Sequence, residues 1–256
     1  MLLRAALTSF RRGETLAAEP VSATFDVSLK HLTAYNAVCG FGLRDALPLT
    51  YPHVLGFPLQ MKLMTGSGFP FPLPGLVHVA NRIAQSRPLA LCEPLEITVS
   101  ARDLRPHPQG TQVDVVTSVS GVWEGVSTYL RRTGSGSSSG EELQRPIGSA
   151  VWRVPADVGR RYAAVSGDRN PIHLYPLSAK LFGFKRTIAH GMWTKARCLA
   201  ALEGRLPEAV TVDVRFKKPL LIPGRVEFSA AEKDGWEFAV WGKGPHLLGS
   251  AHDLTP

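Results

Sequence analysis

A chain of 256 residues, 44% hydrophobic and 20% charged, has the composition of a folded globular protein and excludes a disordered or fibrous one. No apolar run reaches the roughly 18–20 residues that a membrane-spanning helix needs, and a formal net charge of +8 favours an anionic partner. The basic residues neither run together nor alternate with aromatics. A nucleotide-phosphate tail, an acidic lipid surface or an acidic carrier protein therefore suits the charge better than nucleic acid.

The N-terminal stretch MLLRAALTSFRRGETLAAEP places its arginines after a short apolar run, the wrong order for a secretory signal. It is nearly acid-free, which leaves an organellar transit peptide open; an ordinary first strand or helix is the favoured reading. YPHVLGFPLQMKLM has apolar residues at helical spacing, with His53 near its start, and the Pro-rich GSGFPFPLPG (66–75) reads as a rigid loop after it. GLVHVANRI, PLEITVSARDL, TQVDVVTSVS and GVWEGVSTYLRR alternate in the period of half-buried strands. Residues 131–150, RRTGSGSSSGEELQRPIGSA, are Gly/Ser-dense without an apolar period and mark a linker.

Beyond the linker the order recurs. A short amphipathic helix over about 156–165 stops at Ser166-Gly167, and a polar turn runs from Asp168 to His173. HGMWTKARCLAALEG is the helical segment, with His190 at its start and Gly204 placed to stop it. TVDVRFKKPL, GRVEFSAAEKD, GWEFAVWG and HLLGSAHDL follow as strands. RPLALCEPLEITVSA (87–101) resembles KPLLIPGRVEFSA (218–230) across a two-residue gap. The simplest account is an internal duplication of a helix-wrapped antiparallel sheet. The expected organisation is a first half over 1–132, a linker over 133–148 and a second half over 149–256.

Chemistry concentrates in YAAVSGDRNPIHLYPLSAKLFGFKRTIAHGM, residues 162–192. Pro171 biases Asn170 to an extended backbone, and the turn can point Asp168 and His173 into one cavity. A carboxylate and an imidazole there could share one water, one taking its proton while the other orients it or supplies a proton to substrate.

SGDRNPIH followed by GF and IAHGM resembles the signature of the MaoC-like, or R-specific enoyl-CoA hydratase, family. The resemblance implies an α+β double hot-dog: two antiparallel sheets, each wrapped round a helix, paired edge to edge as a pseudo-dimer within one chain. Asp168 and His173 are then expected to activate the water that adds across C2 and C3 of a trans-2-enoyl thioester, or leaves an (R)-3-hydroxyacyl thioester. Gly191 is expected to open the central helix with a backbone N–H aimed at the thioester carbonyl, where an unpaired donor and a positive dipole end suit an enolate. Ser166 and Asn170 are expected to bind substrate, with Asn170 also shaping the turn and helping to hold the water. Arg215, Lys217 and Lys218 are candidates for the phosphates of the thioester tail, although strand alternation sets Arg215 and Lys217 on one face and Lys218 on the other. The first half has AYNAVCGFGLRDALPLTYPH where the turn belongs, with Asp45 and His53 at the wrong spacing, so one active site per chain is expected.

Other patterns carry less. GSSSG (136–140) has the form G-x-S-x-G but lies in the linker, without the strand and helix of a nucleophile elbow. Ser166, Asp168 and His173 do not make a triad by residue type alone. His190 reads as a cap or core histidine with no chemistry. Cys39, Cys92 and Cys198 are odd in number and widely spaced, as in reduced cytoplasmic proteins. No metal pattern or dinucleotide fingerprint occurs, so neither metal nor cofactor is expected. The expected partner is an acyl-CoA or acyl carrier protein thioester, with no nucleic acid, and a homodimer of pseudo-dimers stays open. A thioesterase and a non-catalytic thioester-binding subunit are the rival readings.

Overall fold

Segments rich in Val, Ile and Phe at alternate positions form ten strands: β1 (Val21–Phe25), β2 (Leu76–Gln85), β3 (Leu95–His107), β4 (Gly110–Val119), β5 (Trp123–Arg132), β6 (Ala150–Val154), β7 (Val210–Phe216), β8 (Gly224–Lys233), β9 (Gly235–Trp241) and β10 (Pro245–Asp253). The computed structural model describes residues 15–133 and 143–254 and joins these strands in one antiparallel sheet, ordered β1-β3-β4-β5-β2-β7-β10-β9-β8-β6. Read inward from either edge, each half runs first, third, fourth, fifth and second strand in its own chain order. The halves meet where β2 pairs with β7, with Asn81 opposite Val214 and Ile83 opposite Val212. The duplication read from sequence is thus a double hot-dog on one continuous sheet.

The helices are α1 (Leu29–Cys39), α2 (Tyr51–Leu55), α3 (Phe57–Thr65), α4 (Val158–Ser166), α5 (Pro171–Leu174), α6 (Pro176–Leu181) and α7 (Gly191–Ala201). They cover the sheet face that carries Ile97, Val99, Val113 and Val115 from the first half and Val212, Val214, Val226 and Phe228 from the second, all buried. α1 and α4 are counterparts. Each ends at a glycine in the left-handed region, Gly40 (φ 87) and Gly167 (φ 75), as a C-terminal cap requires. Each carries a buried tyrosine five residues earlier, Tyr35 and Tyr162, with ring centroids 6.4 Å apart. Single bridges at Ala46–Ala90 and Ile188–Leu221 mark the next equivalent point. Between glycine and bridge the first half has five residues (41–45), and the second has twenty (168–187). All of α5 and α6 lies in that insertion.

The helix expected over residues 51–64 is broken, and His53 does not open the central helix of its half. His53 lies in α2, and α3 starts after Gly56. A Cβ at Gly56 would stand 2.8 Å from Thr117 and 3.2 Å from Ile97, so the chain presses against β3 and β4 there, and Pro52 and Pro58 each begin a new turn. α7 ends at Ala201, before Gly204.

One ammonium is fully buried at the seam. Lys195 of α7 donates to the Asn81 carbonyl (3.1 Å), Asn81 Oδ1 (2.6 Å) and the Val212 carbonyl (3.1 Å), tying the helix to both central strands. Burial pushes its pKa well below the ordinary lysine value, while three acceptors match the three N–H groups of the charged form. Cys39 and Cys198 are buried free thiols and Cys92 an exposed one. Residues 1–14 and the GSSSG stretch lie outside the described residues, as does part of the linker.

Candidate active site

The turn after α4 is held by its own polar groups. The Asp168 N–H donates to Ser166 Oγ (3.2 Å), the Asn170 N–H to Asp168 Oδ1 (3.1 Å), and the Ile172 N–H to Asn170 Oδ1 (3.4 Å). Asx geometry of this kind orients a carboxylate without a salt bridge. Ser166 Oγ and the Asn170 side chain are therefore engaged with the turn's backbone, a shaping role. Pro171 occupies the first turn of α5, where its missing N–H costs nothing.

α5 carries His173 inward, where it is 8% exposed. Its Nδ1–H donates to the Ile188 carbonyl at 2.8 Å, which leaves the lone pair on Nε2. Asp168, His173 and His190 each offer a ligand-type atom within 4.8 Å of the others. Burial lowers the His173 pKa, while the Asp168 carboxylate and the Ile188 hydrogen bond pull it back up. A neutral imidazole with a free Nε2 beside a carboxylate can take a proton from water.

His190, to which sequence reasoning assigned no chemistry, is joined to every part of this arrangement. Its ring stacks on His173 with centroids 3.6 Å apart and planes 26° from parallel, and it lies 4.9 Å from the Tyr162 ring. Its Nε2–H donates to the Asp168 carbonyl at 3.1 Å, with Asp168 Oδ2 at 3.8 Å. Burial, and then the neighbouring His173, hold its pKa well below the ordinary histidine value. Its Nδ1 is buried without a hydrogen-bond partner among the described residues. The three side chains suit a metal poorly, because two rings stacked this closely cannot both set a lone pair on one ion lying in each ring plane. The available signal was position: His190 immediately precedes the glycine that opens α7.

His190 is the N-cap residue of α7 but supplies no side-chain cap, so the first N–H groups of the helix, from Gly191 onward, lack intrahelical partners. A Cβ at Gly191 would stand 3.0–3.2 Å from the Phe216 ring, so only glycine fits without displacing that ring.

Side chains of the first half, none of them named as a site residue from the sequence, come close to the turn and to the start of α7. Phe57 Cδ1 is 3.5 Å from where a Cβ of Gly167 would be. The Phe216 ring meets His78 at 4.9 Å, and His78 stacks on Tyr129 at 4.8 Å. The Asp168 charge reaches these groups, raising the pKa values of Tyr129 and His53. Burial is the larger cause at each: it pushes Tyr129 up, takes His53 down to about 4, and takes His78 down to about 3. Gln60 Nε2 donates to Thr117 Oγ1 (3.0 Å) and lies 3.3 Å from His53 Nδ1. Among the described residues of this half no equivalent of the Asp168–His173 turn occurs: Asp45 is exposed and His53 buried.

The three basic candidates lie at and just beyond the end of β7. Val212, Val214 and Phe216 alternate inward, so Arg215 faces the outer surface of the sheet, away from Gly191. β7 ends at Phe216, so strand alternation does not extend to Lys217 and Lys218. Their N–H groups turn back to the His246 and Pro245 carbonyls.

A double hot-dog in which a carboxylate–imidazole turn faces an open helix N-terminus has the architecture of a hot-dog hydro-lyase. A MaoC like domain matches residues 138–239. The 3-hydroxyacyl-thioester dehydratase X of Mycobacterium tuberculosis is 43% identical over 239 residues, spanning 88% of this chain and 85% of that one. The crystal structure of HtdX from the same organism superposes with a TM-score of 0.81 at 41% identity, covering 92% of this chain and all of that one. A MaoC-like dehydratase from Phytophthora capsici, 19% identical over 93% of this chain and 96% of that one, shares the fold with a TM-score of 0.72. The chain belongs to the MaoC-like dehydratase family.

Proposed function

We propose that the protein interconverts (R)-3-hydroxyacyl and trans-2-enoyl thioesters by adding and removing water at the Asp168–His173 turn. The observation that carries this reading is the tautomer of His173: with Nδ1–H committed to Ile188, Nε2 is the proton acceptor, next to the Asp168 carboxylate. In hydration, Asp168 orients the water and His173 Nε2 takes its proton as the oxygen bonds to C3. The displaced π electrons move through C2 onto the thioester oxygen, where the N–H of Gly191 and the helix dipole stabilise the enolate. A proton returned to C2 completes the addition, and dehydration runs the same steps backwards.

The relatives' names support the substrate class, among them a mitochondrial 3-hydroxyacyl-[acyl-carrier-protein] dehydratase of Arabidopsis thaliana, 35% identical over 65 residues. Residues 149–256 form the catalytic unit on this reading. Residues 1–132 are its degenerate partner, lining the acyl side with Phe57, His78 and Tyr129. No described helix is long and apolar enough to cross a membrane; a cytoplasmic location and a homodimer of pseudo-dimers are parts of the proposal that fractionation and sedimentation check. The deciding experiment is hydration of crotonyl-CoA followed by loss of enoyl absorbance, with chirality of the product determined. An (S) product, or release of free thiol without hydration, overturns it.

A further inference from the structure

Immediately after His173 the chain turns apolar side chains outward. Tyr175, Leu177, Leu181 and Phe182 are 59%, 74%, 81% and 50% exposed. The segment that bears them is anchored from behind. Ala179 of α6 is fully buried, Ser178 Oγ donates to the Pro171 carbonyl (2.7 Å) and the Tyr175 carbonyl (2.9 Å), and the N–H groups of Phe182 and Phe184 both donate to the Ala179 carbonyl. These bonds hold α6 against α5, the element that carries His173. A fixed, solvent-facing apolar patch beside a reaction centre is the mark of an interaction surface.

The charges along this stretch of chain have one sign. From Arg169 to Leu202 the sequence contains no Asp or Glu, and Arg169, Lys180, Lys185 and Arg186 are exposed. Among the described residues none of the four makes an ion pair, whereas exposed basic residues elsewhere, such as Arg44, Arg87 and Lys233, do. Apolar contacts within a basic rim fit a partner that is acidic and presents apolar side chains of its own. The phosphates of a free coenzyme could meet the cations but would leave Leu177, Leu181 and Phe182 in water.

We propose that the exposed face of α6, with Arg169, Lys180, Lys185 and Arg186 round it, docks a small acidic carrier protein that presents the acyl thioester to the Asp168–His173 turn. The proposal rests on the thioester reading above and names the carrier for that same site. Docking here sets the partner on the same short insertion that holds the dyad, which the first half lacks. Encounter is steered by charge and is therefore salt-dependent, and the apolar patch supplies the contact that retains the partner.

The test compares one acyl group on two carriers: crotonyl-CoA and crotonyl loaded on a small acidic bacterial acyl carrier protein. Lys180→Glu/Lys185→Glu and Leu177→Ser/Leu181→Ser alter exposed side chains only, and matched thermal unfolding midpoints check the fold. Each double variant is expected to raise KM for the protein-borne substrate roughly tenfold, while kcat and KM for crotonyl-CoA stay within about twofold. The wild-type KM for the protein-borne substrate is expected to rise with salt, and the charge-reversed variant to lose that dependence. Equal losses on both substrates, or no loss on either, overturn the proposal. So does binding to phosphatidylglycerol vesicles that the variants abolish while the carrier KM is unchanged, since the surface would then serve a membrane. Failure of the wild type on both substrates would instead refute the thioester reading itself.

Discussion

Replacing His190 with phenylalanine removes one hydrogen bond while keeping an aromatic ring against His173. The lost bond is the 3.1 Å contact from Nε2–H to the Asp168 carbonyl, and nothing else in a phenyl ring can donate to that oxygen. A neutral hydrogen bond contributes about 1 kcal/mol net, and a carbonyl left without a partner costs about 1–3 kcal/mol. Only the part of this that differs between ground and transition state reaches the rate. Because the Asp168 backbone sets where its carboxylate stands, about 1–2 kcal/mol of transition-state stabilisation is expected to go, a fall in kcat of roughly 5- to 30-fold. KM for crotonyl-CoA is expected to change less than threefold, because the ring packs on Tyr162 and His173 and phenylalanine keeps that packing. His190→Gln, whose amide can donate to the same carbonyl, is expected to recover part of kcat. The assay is steady-state hydration of crotonyl-CoA by absorbance, with thermal unfolding run in parallel. An unchanged kcat in His190→Phe, or a loss that tracks a fall in unfolding temperature and is equal in His190→Gln, refutes the positioning role.

Asp168→Asn and His173→Ala are each expected to lower kcat by about 10²–10⁴-fold with the fold retained, measured in the same assay with circular dichroism as control. Burial lowers the His173 pKa, so the acid limb of kcat/KM is expected below pH 6.5, with activity lost as falling pH protonates Nε2; a limb above that value contradicts the assignment. Gly191→Ala forces a methyl to 3.0–3.2 Å from the Phe216 ring and is expected to cut kcat at least about tenfold, with partial recovery when Phe216→Leu makes room; an active Gly191→Ala removes the helix-start role. The unfolded His53 binds a proton near pH 6.5, but the folded one does not until about 4. Between those values the unfolded state holds the extra proton, so His53 alone is expected to lower stability by about 3 kcal/mol as pH falls through that window. Urea unfolding at pH 7 and pH 5 checks this, since His53→Gln should show a visibly shallower loss.

Of the site, what the sequence displayed was what lies close along the chain. SGDRNPIH encodes its own turn: Ser166, Asp168 and Asn170 accept the N–H groups two residues onward, so local chemistry aims the carboxylate whatever surrounds it. Gly167 and Gly191 were readable for the same reason, one ending a helix and the other beginning one. The strands of both halves followed their period of two, and the likeness between residues 87–101 and 218–230 exposed the duplication. Two expectations failed where local pattern met tertiary crowding. The apolar spacing of residues 51–64 suits one helix, but Gly56 pressed on Thr117 breaks it. The strand alternation read through Lys217 and Lys218 stops at Phe216, where β7 ends.

The sequence by itself determined the Asp168–His173 turn, the repeated helix-and-strand order and the presence of a single complete motif, because those depend on neighbours and on periodicity. Only the folded chain decided that His190 stacks on His173 and grips the Asp168 carbonyl, that Phe57 comes against Gly167 and Phe216 against Gly191 and His78, and that residues 175–182 turn four apolar side chains to solvent. These contacts bring together positions as far apart as residues 78 and 216. They depend on the pairing of β2 with β7, which fixes how the two halves meet and which no local pattern encodes.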